Sequence, residues 1–109
     1  MRGQINDTAQ LNGDGKTLLV TGWVQFDDDE KSAVMRVTVT QGGSTVTGKS
    51  ANTPRTKSAW TAEIKGRDDF LPGPAHAEAT ATVTLKSGAT EEYPEAGGAP
   101  WARFITLVG

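Results

Sequence analysis

From Ala75 to Lys86 the chain reads AHAEATATVTLK, with apolar and polar residues alternating without a slip. On a pleated strand Ala75, Ala77, Ala79, Ala81, Val83 and Leu85 share one face, and His76, Glu78, Thr80, Thr82, Thr84 and Lys86 share the other. A helix would scatter the apolar set around its whole circumference. The period of two therefore outweighs the preference of alanine for helices. The expected class is all-β.

The remaining segments obey the same rule. Thr17 to Phe26 is expected as a strand with apolar residues on both faces, hence central and covered on both sides. Within it, Gly22 marks either a bulge or a close crossing by Trp60. Met35, Val37 and Val39 point inward in the next strand, with Arg36, Thr38 and Thr40 outward. Gln41-Gly42-Gly43-Ser44 then forms a hairpin turn into a polar edge strand, Thr45 to Ser50. Trp60, Ala62 and Ile64 share a face in the segment Ser58 to Lys65. Residues 89–93 are either the start of the last strand, Trp101 to Val108, broken by a bulging loop, or a separate short strand. Residues 1–16 are polar and turn-rich, and Ile5 and Leu11 pin a short first strand to the sheet edge. The domain proper is expected over 17–109.

A chain of 109 residues is one domain, long enough to bury roughly two-thirds of its unfolded surface. It has no cysteine, so packing alone must hold the core, and thiolate metal sites are excluded. The net charge is −2, without a Lys/Arg cluster, so no nucleic-acid partner is expected. No apolar run is long enough to span a bilayer, and no membrane partner is expected. The first residues lack the apolar stretch of a signal peptide, so synthesis without a secretion signal is expected.

About seven short strands with turns at regular spacing point to an antiparallel two-sheet sandwich. Trp60 in WTAEI, the turn Leu71-Pro72-Gly73 and the alanine-rich strand after it resemble the immunoglobulin-like and fibronectin III-like modules of bacterial surface and phage virion proteins. The resemblance covers roughly 17–108 and implies an architecture rather than an activity. Antibody-type domains carry a paired cysteine bridge, which this chain lacks.

Candidate chemistry is sparse. His76 is the only histidine and sits on the polar face of its strand. No serine near it lies in a nucleophile-elbow pattern. The acidic run Asp27, Asp28, Asp29 and Glu30 is the best metal candidate, since hard cations take converging carboxylates from a loop. Against that, adjacent carboxylates repel and serve as a solvated loop. Asn12-Gly13-Asp14-Gly15 resembles part of a calcium loop, but the first ligand position is Gln10 and the twelfth is Thr21, so a turn explains it better. Asp68 and Asp69 with Glu63 suggest a glycosidase pair, for which so short a chain offers little cleft. Trp23, Trp60 and Trp101 are core residues or a sugar-stacking platform, with Trp101 the first choice for exposure. Asn6-Asp7-Thr8 matches a glycosylation sequon. The loop Pro94 to Pro100 suits either adaptable contact or a spacer.

No catalytic residue, cofactor or resident metal is therefore expected. The leading expectation is a non-catalytic module binding a protein lattice. Within that class it is a bacteriophage capsid decoration (cement) protein on the major capsid protein, or a tail-associated protein, assembled in the host cytoplasm and found in the virion. Docking is expected through residues 1–16 or one set of end loops, and homo-oligomers are compatible with it. The alternative is an adhesive, spacer or carbohydrate-binding domain of a larger secreted surface protein.

Overall fold

The computed structural model describes residues 1–12, 16–66, 70–94 and 98–109. Nine strands form there: β1 (Arg2–Leu11), β2 (Thr17–Gln25), β3 (Glu30–Gln41), β4 (Ser44–Lys49), β5 (Thr53–Pro54), β6 (Ala59–Lys65), β7 (Gly73–Leu85), β8 (Thr90–Tyr93) and β9 (Trp101–Val108). No helix occurs among the described residues. The class is all-β, as the alternation requires.

The hydrogen-bonded path runs β4-β3-β7-β9-β1-β2-β6, with β5 on β3 and β8 on β7. Its two ends meet through an antiparallel bridge between Ser50 and Ala62, so the sheet nearly closes in a barrel-like way. Ser50 secures this seam. Its N–H donates to the Met35 carbonyl at 2.8 Å, and its buried hydroxyl accepts from the Met35 N–H at 2.9 Å. Gly48 permits the approach of β4 to β6, because a Cβ there would lie 2.8 Å from Ile64 Cγ1.

The alternating faces become the core. Ala75, Ala77, Ala79, Ala81 and Val83 of β7 are buried, beside Met35, Val37 and Val39 of β3, and Trp60, Ala62 and Ile64 of β6 belong to the same core. A row of alanines lets the opposing large side chains approach closely, as close packing demands. The Gly42–Gly43 turn joins β3 to β4 with Gln41 opposite Ser44, as expected.

Three expectations are corrected. The strand count is nine rather than about seven, and the arrangement is mixed, because β1 pairs with β9 in parallel. Both chain ends enter the sheet in the same direction there. Second, β1 is no edge strand. It spans 10 residues and pairs with β2 on one side and β9 on the other, burying Ile5, Ala9 and Leu11. Third, β2 is covered on one face only: Leu18, Val20 and Val24 are buried, while Trp23 is exposed. Of the two alternatives left open for 89–93, the separate short strand is found, as β8. β8 pairs with β7 over 81–84 and β9 with β7 over 73–79, so the two line one edge of β7 in succession.

Gly22 is a close crossing. A Cβ on it would lie 2.2 Å from Trp60 Cζ2 and 2.5 Å from the Gln4 carbonyl oxygen. The irregularity on this side falls instead in β1, where Asn6, Asp7 and Thr8 bulge opposite Thr21 and Asn6 Nδ2 donates to Thr21 Oγ1 at 2.8 Å. The sequon thus lies in this bulge.

Candidate functional site

The acidic run folds into a tightly bonded corner. Glu30, buried beside Leu85, accepts the Asp27 N–H at 2.6 Å, and its own N–H donates to the Asp27 carbonyl at 3.1 Å. The Met1 ammonium lies 2.6 Å from Asp27 Oδ2 and 3.5 Å from Glu30 Oε1. Arg55 reaches Asp28 Oδ1 at 3.2 Å and donates to the carbonyls of Asp27 and Glu30. Partial burial works against the charged amine, but the hydrogen bond to Asp27 and the charges of Glu30 and Asp27 outweigh it and raise its pKa above the usual 8.0. Asp27, Asp28 and Glu30 are thus turned to an ammonium and a guanidinium rather than toward a shared centre, and Asp29 is exposed. Among the described residues no group of three or more acidic or histidine side chains is arranged to hold a metal ion.

The other candidates disperse. Glu63 lies exposed on β6, whereas Asp68 and Asp69 fall outside the described residues. So do Gly13, Asp14 and Gly15 of the calcium-like stretch, and Glu95 to Gly97 of the late loop. Trp60 is buried and its Nε1 donates to the Trp23 carbonyl at 3.2 Å. Trp101 is also buried, against Tyr93 at 5.1 Å between ring centroids, which corrects the expectation that it is the exposed tryptophan. Its inward register on β9, level with Ala79 of β7, decides this. Trp23 is the exposed one, at 42%.

The structure brings together a surface that the motif search missed. The large apolar side chains exposed among the described residues are Trp23, Leu71, Phe104 and Val108. Three of these four lie at one end of the face formed by β3, β7 and β9. Phe104, 78% exposed, and Val108 stand four residues apart on the outward side of β9. His76, paired with Phe104 across the strands, meets it edge-on at 5.0 Å. Beside them a shallow cavity of about 210 Å³ opens between the Gln41–Gly42 turn and Pro74. Leu71 is held there by its backbone: Gln41 Oε1 accepts the Leu71 N–H at 2.9 Å, and Gln41 Nε2 donates to the Leu71 carbonyl at 2.8 Å. The same amide donates to the Pro74 carbonyl at 3.2 Å.

This arrangement is suited to contact rather than bond-making. An exposed aromatic ring on a rigid strand loses little conformational entropy when covered, and a loop leucine pinned by its backbone behaves similarly. The alternation places Phe104 outward, so its exposure was readable once β9 was assigned. The tie of Leu71 to Gln41, which lines the same cavity as Phe104, was not.

No protein-family model matches the chain, and a search of curated proteins finds no match.

Proposed function

We propose that the chain is a non-catalytic structural module that docks on a protein lattice. Its setting would be a bacteriophage virion, as a capsid decoration protein in the first instance and a tail-associated protein in the second. The observation that carries this reading is the exposed Phe104, edge-on to His76 beside a shallow cavity whose Gln41 also holds the backbone of exposed Leu71. Exposed apolar groups gathered in one patch mark contact surfaces, whereas scattered ones do not. The strand order also supports an immunoglobulin-like sandwich, with β4-β3-β7-β9 as one layer and β1-β2-β6 as the other. In that arrangement the bulge in β1 lets the first strand serve both layers. Many copies, each burying a modest area, would reinforce a shell through multivalency.

Mass spectrometry of gradient-purified phage particles from the encoding host tests the setting, and absence of the chain from them ends it. The docking face is tested by Phe104→Ser. Loss of a central aromatic anchor costs about 2 kcal/mol, roughly thirtyfold in Kd, and copies per particle should fall accordingly.

A second reading rests on Trp23, whose exposed ring lies beside Gln4 on the opposite side of the molecule. An indole next to an amide suits a sugar ring, as in an adhesive surface domain. Binding to a glycan array that Trp23→Ala abolishes would favour it over the virion reading.

A further inference from the structure

We propose that the groove between β4 and β8 receives a carboxylate-bearing extended segment of the docking partner, with Arg36 and Lys49 as its anchors. This inference rests on the protein-docking reading above and names the partner's chemistry. In the β3–β4 register Arg36 stands directly opposite Lys49. Like charges facing each other across two strands destabilise a sheet unless an anion separates them. Neither cation makes an ion pair among the described residues. Arg36 is flanked on its other side by Thr80 of β7, a neutral hydroxyl.

The space above these residues fits the same chemistry. Arg36, Lys49, Thr80, Thr82, Val34 and Glu92 line one open groove of about 470 Å³. Glu92 leans across onto Thr82 of the adjacent strand, whose hydroxyl donates to its two carboxylate oxygens at 3.0 and 3.3 Å, and it pairs with neither cation. Lys49 of β4 and Arg36 of β3 therefore sit at one end and Glu92 of β8 at the other, three and two strand spacings away, or about 14 and 10 Å at the usual spacing. Glu92 repels a polyanion running the length of the groove. A segment with one acidic side chain avoids that repulsion, meets Arg36 in the two-pronged geometry guanidinium favours, and lays an apolar residue two positions away on Val34, which is itself two residues from Arg36 on β3.

The test is a titration of the isotope-labelled protein, followed by NMR, with the blocked peptide acetyl-Val-Thr-Glu-Thr-Val-amide, whose valines share the face of its glutamate when extended. Its glutamine analogue and sodium sulfate serve as separate arms. The glutamate peptide should shift the Arg36 side-chain N–H and the Thr80 and Thr82 amides with a millimolar Kd. The glutamine analogue should bind at least tenfold more weakly, and the Arg36→Gln, Lys49→Gln double variant should lose the response while keeping a folded spectrum. Equal binding of both peptides overturns the proposal, as do equal shifts from sulfate alone, or no response up to about 10 mM peptide. Phe104→Ser should leave this titration unchanged, so failure of the apolar docking face and failure of the groove are read separately.

Discussion

Replacing Gly22 with alanine should destabilise the protein by about 3 kcal/mol, although alanine is ordinarily the better strand residue. The added methyl would sit 2.2 and 2.3 Å from two ring atoms of Trp60 and 2.5 Å from the Gln4 carbonyl oxygen. Carbon atoms prefer roughly 3.5–4.0 Å, so the overlap exceeds about 1 Å on both sides. Neither neighbour has room to withdraw. Trp60 is buried and its Nε1 is committed to the Trp23 carbonyl, while Gln4 is paired within β1 opposite Trp23. Overpacking of this kind costs about 1–3 kcal/mol, and severe overlap belongs at the upper end. Losing the indole hydrogen bond adds about 1 kcal/mol. Removing the glycine's backbone freedom returns about 0.5–1 kcal/mol. For a domain of this size the net corresponds to a fall in Tm of roughly 12–24 °C. Urea denaturation followed by far-UV circular dichroism measures it. A double-mutant cycle with Trp60→Phe isolates the cause, since the smaller ring should relieve at least about 1 kcal/mol of the Gly22→Ala penalty. A Gly22→Ala protein within about 0.5 kcal/mol of wild type refutes the steric account. So does a cycle with no coupling.

Ser50→Ala should cost about 1–3 kcal/mol by stranding the Met35 N–H at the seam where the sheet ends meet, and amide hydrogen exchange should quicken across β4 and β6. The raised pKa of the Met1 amine means that its pairing with Asp27 and Glu30 stabilises fully below about pH 8 and is lost as pH rises through the folded value. Wild type should therefore lose more stability than Asp27→Asn between about pH 8 and 10, by no more than about 1 kcal/mol for so exposed a pair. Phe104→Ser should leave chemical stability within about 0.5 kcal/mol of wild type, because the ring contributes little to the core. A larger loss would show that Phe104 serves the fold rather than contact.

Much of the interior was legible because strand periodicity is local. The inward sets of β3, β6 and β7 follow from alternation alone, and they are buried as read except Leu85 at the end of β7, which is half-buried. The glycine-lined crossing at Trp60 was also foreseeable, since a glycine in an otherwise apolar strand demands a neighbour that uses the space. What misled was composition. The polar run at the start of the chain reads as an edge, yet Ile5, Ala9 and Leu11 are enough to hold β1 between two partners. Leu19 and Trp23 on the outer side of β2 read as a second buried face, but nothing covers Trp23.

Alternation therefore determined the all-β class, the inward faces and the single strand face on which Phe104 stands. It acts between residues two apart, and any two-sided sheet enforces it. The tertiary structure alone decided which strands are neighbours, how Ser50 joins the ends, and that Gln41 holds the Leu71 backbone across 30 residues of chain. It also set Arg36 opposite Lys49 with no acid between them. Such pairings depend on register and direction, which are settled only when the whole sheet closes on its core.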